Sequence, residues 1–376
     1  MHKIIQVVPS LSVGGAETLV KEYSIVLNSL GYDVEILVTG KRSNTIIEQE
    51  LFDKNIHVTY LNELYRVNHI LPDTFRHYLV AFKWRRAIKN YFKEKKPDVV
   101  HCHLAVAHNL VHCVENLKQC RVFYTVHSDP DKYWADNKNS DDLSAIKNLI
   151  NKCDMQVIAL HNGMIPKLRK YLGESIHIHV LNNAVDFSRY KRSSGHKNVV
   201  LDSIGIPNDG FIVGHIGRFS RPKNHLFLIE IFQKILEKNK KAYLLLAGDG
   251  ELKPEIEALV TKLSLNKHVY FLGNVQNIPE LLAAFDVFLF PSLWEGFPLT
   301  LIESQVAGVR CIVSDSITKD VLLTNKIEMI SLDKSADYWA DRTLDESNET
   351  YIEYGLEKYN LQNIIQELLK LYRGEL

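Results

Sequence analysis

The chain has 376 residues, 46% hydrophobic and 24% charged, with 45 basic and 45 acidic side chains. That length fits two domains of ordinary size, and the zero formal net charge argues against the basic footprint that nucleic-acid binding needs. No run reaches the ~18 apolar residues of a membrane-spanning helix.

The apolar stretch at 4–8 stops at Pro9, as a first strand does and a signal peptide does not. A polar loop at 10–15 leads into a helix with an apolar face of Ala16, Leu19, Val20, Tyr23, Val26, Leu27 and Leu30, stopped by Gly31. Strands follow at 34–38 and 57–61, then a long amphipathic helix at 75–96 and strands at 97–101, 121–126, 155–159 and 177–181. A polar, turn-rich tract at 190–207 places a linker at about 187–195. The alternation then restarts: strand 211–216, helix 224–238, strand 242–247, helix 251–264, strand 268–272, helix 279–284 and strand 286–290. A helix at 298–307, with Pro298 in its first turn, and a strand at 311–313 complete it. The segment 350–372 reads as helical and as packing back on the first domain.

This pattern predicts an α/β chain of two facing Rossmann-like, doubly wound domains with an interdomain cleft. The first domain spans 1–187 plus a returning C-terminal helix at about 356–376, and the second spans 188–355. Five scattered cysteines (Cys102, Cys113, Cys120, Cys153, Cys311) with no C-x-x-C pair read as reduced thiols of a cytoplasmic protein.

Several clusters can carry chemistry. Gly14, Gly15, Ala16 and Glu17 join a strand to a helix, where backbone can approach an anion; a plain turn explains the same residues. Arg218, Arg221 and Lys223 sit between strand 211–216 and the next helix, where a diphosphate would dock. Glu295 and Glu303 flank the start of the helix at 298–307 and suit sugar hydroxyls, a hydrolytic acid/base pair, or simple solvation. His101 and His103 share one strand face with Cys102 opposite, which weighs against zinc, and His127 ends the next strand. Asp129 and Asp131 form a D-x-D that a manganese-dependent enzyme would use. They open a tract (129–142) rich in Asp, Asn and Lys, where such spacing is commonplace. The helix at 75–96 carries Arg76, Lys83, Arg85, Arg86, Lys89, Lys93, Lys95 and Lys96 among Phe75, Tyr78, Phe82, Trp84, Tyr91 and Phe92. An anionic membrane surface and a half-buried helix with snorkelling cations explain it equally.

Taken together, these motifs resemble the GT-B retaining glycosyltransferases of the family 4 type, in particular those of capsular and exopolysaccharide assembly. The resemblance covers nearly the whole chain. Its motifs are G-G-A-E at 14–17, H-x-H at 101–103, His127, N-A-V-D at 183–186, G-R with Lys223 following at 217–223, G-D-G-E at 248–251 and E-x7-E at 295–303. Ala184 stands where glycine is usual, and His161-Asn162 and Val309-Arg310-Cys311 also depart from the pattern.

The resemblance implies a nucleotide-sugar donor, UDP-linked rather than GDP-linked, and a lipid-linked or oligosaccharide acceptor, with no metal cofactor. Arg218 and Lys223 would neutralise the leaving diphosphate, with Gly15 offering a backbone N–H. Glu295, Gly296 and the N–H groups of Phe297 and Leu299 would hold sugar and phosphates. Glu303 would take the ribose, and Gly248, Gly250, Asn274 and Val275 would flank the base. His127 would line the reaction centre, with Gly14, Glu17 and His103 on the acceptor side. A nucleotide-sugar epimerase or hydrolase of the same fold, or an inactive partner subunit, are the competing readings.

Overall fold

The computed structural model describes residues 2–12, 14–65, 73–135, 139–190, 196–345 and 351–376. Val13, the linker residues 191–195 and the side chains of Phe75, Arg76 and Tyr78 lie outside the described residues. The chain divides into two compact units, Met1–Ala184 with Leu361–Leu376, and Val185–Asn360.

The first unit is built on β1 (Lys3–Val8), β2 (Asp33–Val38), β3 (His57–Tyr60), β4 (Val99–His103), β5 (Arg121–Val126), β6 (Gln156–Ala159) and β7 (Ile178–Val180). The order is β3-β2-β1-β4-β5-β6-β7, all parallel. The inner strands are apolar runs because helices cover both faces. These are α1 (Gly15–Ser29), α2 (Ile46–Asp53), α3 (Asp73–Lys95), α4 (Ala107–Leu110), α5 (Val114–Leu117), α6 (Pro130–Tyr133), α7 (Ser140–Cys153) and α8 (Ile165–Leu172).

The second unit has β8 (Phe211–Ile216), β9 (Ala242–Ala247), β10 (Val269–Gly273), β11 (Val287–Phe290), β12 (Arg310–Ser314) and β13 (Ile327–Ile330). Its order, β10-β9-β8-β11-β12-β13, is again parallel throughout. The helices are α9 (His196–Ile204), α10 (His225–Lys238), α11 (Lys253–Lys262), α12 (Ile278–Ala284), α13 (Leu299–Val306) and α14 (Ala336–Leu344). Each sheet reverses its strand order once, between β1 and β4 and between β8 and β11. Ligands of open α/β sheets bind beyond the strand carboxyl ends at such points.

The chain then returns to the first unit as α15 (Leu361–Arg373), whose Ile364, Ile365, Leu368 and Tyr372 pack with Ile4, Val99 and Phe123 of the sheet and with Leu19, Tyr23 and Leu27 of α1.

The structure corrects several sequence expectations. The segment 350–372 is not one helix: Leu356–Tyr359 is a single 3-10 turn, and the extended Asn360 separates it from α15. Pro298 is the extended N-cap of α13 (φ −77°, ψ 101°) and not part of its first turn. The tract 190–207 contains α9, and the strand expected at 97–101 runs to His103, so that His103 is its last residue. The sequence reading assigns nothing to β13, α2, α7, α8 and α14. Among the described residues no helix is long and apolar enough to cross a membrane, and all five cysteines are free thiols.

Candidate active site

In the second unit, the loops leaving β8 and β11 carry the basic and acidic motifs to the reversal point. The two loops are tied together: Leu293 N donates to Pro222 O at 2.8 Å, and the Asn224 side-chain amide donates to Pro291 O at 3.1 Å. Lys223 closes a 3-10 turn (Arg221–Lys223), and its Nζ donates to Glu295 Oε1 at 2.8 Å while lying 4.6 Å from the centre of the Phe290 ring. The two side chains are 16% and 12% exposed, so the pair is largely shielded from water. Arg218 stands apart on the same loop, exposed, and pairs with Glu251 at 3.2 Å. Gly296 is exposed, Glu303 is half-buried one turn into α13, and Phe297 stacks on Tyr359 with ring centres 5.2 Å apart. The opening backbone N–H groups of α13 face the same end of the sheet as the Lys223–Glu295 pair, which favours anionic or hydroxyl oxygens there.

Gly248 and Gly250 have left-handed backbones (φ 134° and 156°), because the β9–α11 loop is pressed against the loop after β8. A Cβ on Gly248 would overlap Gly217 O, and one on Gly250 would stand 2.5 Å from Phe219 O. Phe219 N donates to Asp249 O at 2.9 Å and Leu252 N to Phe219 O at 3.0 Å, so the two loops form one seam. Asn274 is exposed after β10, and Val275 packs into the core.

Two residues absent from the sequence reading lie beneath the loop after β8. His215 is fully buried, its ring stacked with Phe288 and Phe290, and its Nδ1–H donates to Leu289 O at 2.9 Å. His225 stacks on Phe219 with centres 4.2 Å apart. Burial first, and then the neighbouring Lys223 charge, hold His225 down to about 4. Burial, with His225 and Lys223 nearby, holds His215 well below the ordinary value. Their alternation with apolar neighbours makes them look like core, which they are.

In the first unit, His101 and His103 point to one face of β4, as the alternation predicts, with ring centres 4.1 Å apart. His127, half-buried at the end of β5, bonds through Nε2 to His103 Nδ1 at 3.0 Å. Burial pushes His101 down to about 3 and His127 to about 4, and His103 well below its usual range. The chain turns away immediately after His103 through Leu104, a left-handed residue (φ 60°) whose carbonyl accepts from Tyr124 OH at 2.8 Å. Such a backbone at a bulky side chain is sparsely populated.

Glu17 folds back over the start of α1, where Ser12 Oγ donates to it at 3.4 Å, and burial raises its carboxyl above the ordinary value. A Cβ on Gly14 would stand 2.5 Å from Glu17 Oε2, so Gly14 makes room for this carboxylate. Gly15 is the first residue of α1. The carboxylates of the D-x-D are engaged by cations: Asp129 by Lys167, and Asp131 by Lys170 at 2.8 Å. Among the described residues no group of three or more His, Cys, Asp or Glu is arranged to hold a metal ion.

Residues 13–189 match the family model described as Glycosyltransferase Family 4, and residues 198–342 that of Glycosyl transferases group 1. The chain belongs to the GT-B glycosyltransferases of the group 1 and family 4 type. EpsF of Bacillus subtilis is 38% identical over 165 residues, a match that spans 44% of this chain and 43% of that one. The UDP-Gal:alpha-D-GlcNAc-diphosphoundecaprenol alpha-1,3-galactosyltransferase of Escherichia coli is 26% identical over 332 residues, 86% of this chain and 81% of its own. The crystal structure of Anabaena HepE in complex with UDP and glucose superposes with a TM-score of 0.77 over 99% of both chains, at 17% identity, and so shares the fold.

Proposed function

We propose that this glycosyltransferase moves a hexose or N-acetylhexosamine from a UDP-sugar, with retention, to a hydroxyl of a lipid-linked or oligosaccharide acceptor in cell-surface polysaccharide assembly. The observation that carries the reading is the shielded Lys223–Glu295 pair, held by two tied loops at the strand-order reversal beside the start of α13. A cation, a carboxylate and a helix N-terminus in one place suit a sugar joined to a diphosphate. The Escherichia coli relative supports the acceptor class and the UDP donor, and the α linkage in its name is the product that retention gives from an α-linked donor.

In this reading the second unit holds the donor. Lys223 and Arg218 neutralise the departing diphosphate, Glu295 grips the sugar and Glu303 takes the ribose, and the resemblance gives His127 the role of lining the reaction centre. The bond from the anomeric carbon to the diphosphate oxygen breaks as the acceptor oxygen bonds to the same face, and the acceptor's proton passes to an oxygen of the leaving phosphate. The main catalytic effect is then electrostatic stabilisation of charge on the leaving group. Cationic side chains and helix N-termini serve where other transferases use a metal. The exposed Phe82, Arg85, Arg86, Lys89 and Lys93 of α3 bring the protein to an anionic membrane surface; flotation with anionic liposomes at low salt tests that part, and no binding removes it.

Titration with UDP, GDP and a panel of UDP-sugars in EDTA tests the core of the proposal. UDP binding that survives EDTA and is lost in Lys223→Ala is the expected result. Manganese-dependent binding that is lost in Asp129→Ala overturns the metal-free site. The anomeric configuration of the product, read by NMR, decides retention.

A further inference from the structure

We infer that Gln6, His103 and Tyr372 form a hydrogen-bond register that fixes which ring nitrogen of His127 carries a proton, and so act as positioning residues for the transfer. The inference rests on the proposed place of His127 at the reaction centre.

The register follows from donor and acceptor chemistry taken atom by atom. Gln6 Oε1 can only accept, and it lies 2.8 Å from His103 Nε2, so that nitrogen carries the hydrogen. His103 is fully buried and neutral, hence its Nδ1 is bare and accepts from His127 Nε2–H at 3.0 Å. His127, neutral as well, is left with a bare Nδ1, which can accept from a sugar hydroxyl and cannot donate to one.

The orientation of the Gln6 amide is coupled to its neighbours on the other side. Its Nε2 donates to Tyr372 OH at 3.3 Å, and that hydroxyl in turn donates to His101 Nδ1 at 2.6 Å. His101 then carries its hydrogen on Nε2 and donates to Thr125 Oγ1 at 2.7 Å. Gln6, His101, His103, Thr125 and Tyr372 are each at most 3% exposed, so water does not offer substitute partners. Turning the Gln6 amide over would reverse each bond on the way to His127 and place the hydrogen on its Nδ1. The Tyr372 hydroxyl, delivered by α15, ties the amide to His101 and Thr125, so that the amide turns over only if that whole chain of bonds reverses with it.

The test uses the full chain with 15N-labelled histidine, His127 being assigned by the loss of its signals in His127→Gln. At pH 7 the wild type is expected to show His127 with a protonated Nε2 and an unprotonated Nδ1. Tyr372→Phe, and independently Gln6→Met, should move His127 toward the Nδ1–H form. UDP release from UDP-glucose or UDP-galactose should fall about tenfold, the worth of one neutral hydrogen bond, with UDP affinity within twofold of wild type. Two results overturn the register: a wild type that already carries the hydrogen on Nδ1, or a Tyr372→Phe protein whose His127 tautomer is unchanged. His127→Ala separates this failure from that of the underlying reading. If His127→Ala leaves UDP release unchanged, the reaction-centre role itself is lost and the register has nothing to position.

Discussion

Lys223 and Glu295 are joined at 2.8 Å across the point where the second sheet reverses its strand order, one from the loop after β8 and the other from the loop after β11. Neither loop places its residue alone, because each is hydrogen-bonded to the other. Lys223→Ala should lower turnover by about 10²–10³, the usual effect of removing one preorganised donor to a developing anion. Arg218→Ala should act in the same direction. Steady-state rates with saturating donor give the comparison, and wild-type rates in both variants would remove the assignment.

Glu295→Gln keeps the size of the side chain and removes its charge. The Lys223 ammonium then loses its carboxylate, and the sugar loses a charged acceptor. A hydrogen bond to a charged group corresponds to roughly ten- to hundredfold in an equilibrium, so kcat/KM should fall by about that factor. Binding of UDP alone should change less than binding of the UDP-sugar. Calorimetry with the two ligands reads the difference directly.

The glycines separate packing from chemistry. Gly248→Ala and Gly250→Ala force a Cβ into the backbone of the loop after β8, at left-handed positions. Both should lower Tm and weaken UDP binding together. Gly296→Ala meets nothing within 4 Å and has no left-handed backbone, so it should leave Tm unchanged whatever it does to turnover. Thermal unfolding of the three variants side by side is the check.

Acid stability should follow the buried histidines. His101 at about 3, and His127 and His225 at about 4, lie below the ~6.5 of an unfolded chain. The unfolded chain therefore binds more protons, and stability that is fully present above about pH 6.5 drains as pH falls toward those values. For the fully buried His101 and His103 the slope is about 1.4 kcal/mol per pH unit per proton. Denaturant midpoints at pH 7, 6 and 5 should decline before most carboxylates titrate. A level midpoint over that range would contradict the burial of these rings as neutral species.

Asp129 is spoken for by Lys167 and caps α6 through the backbone N–H groups of Asp131 and Lys132. Asp129→Asn should therefore cost some stability while transfer in EDTA continues at the wild-type rate. Rates measured with EDTA and with added manganese, in wild type and variant, would expose a metal requirement.

Much of the fold is legible in local sequence. The inner strands are short apolar runs, and Arg218, Lys223 and Glu295 stand in the loops that follow strands periodicity alone locates, with Glu303 on the helix after the second loop. What is not legible depends on partners far apart in the chain. Gln6 and Tyr372 are separated by 366 positions, and no spacing rule connects a strand glutamine to a tyrosine on the last helix. His215 and His225 show the opposite problem, since their neighbours are so apolar that the residues pass for ordinary core. The reading of 350–372 as one helix misses the bridge of Glu353 to Thr324, the left-handed Gly355 (φ 111°) and the extended Asn360, because these breaks are fixed by contacts elsewhere in the second unit and not by the local apolar pattern.

The return of α15 to the first unit also sets an order of events during synthesis. Ile4, Val99 and Phe123 share their side of the sheet with α15, and that helix is translated only after residues 185–360 have been made. At about 5–20 residues per second, the interval is roughly ten to thirty seconds. Throughout it the nascent first unit presents an uncovered apolar face, and the second unit, continuous in sequence, can fold to completion first. The earlier-translated half is thus the later one to finish, and the surface left waiting is the one a ribosome-associated chaperone would need to shield.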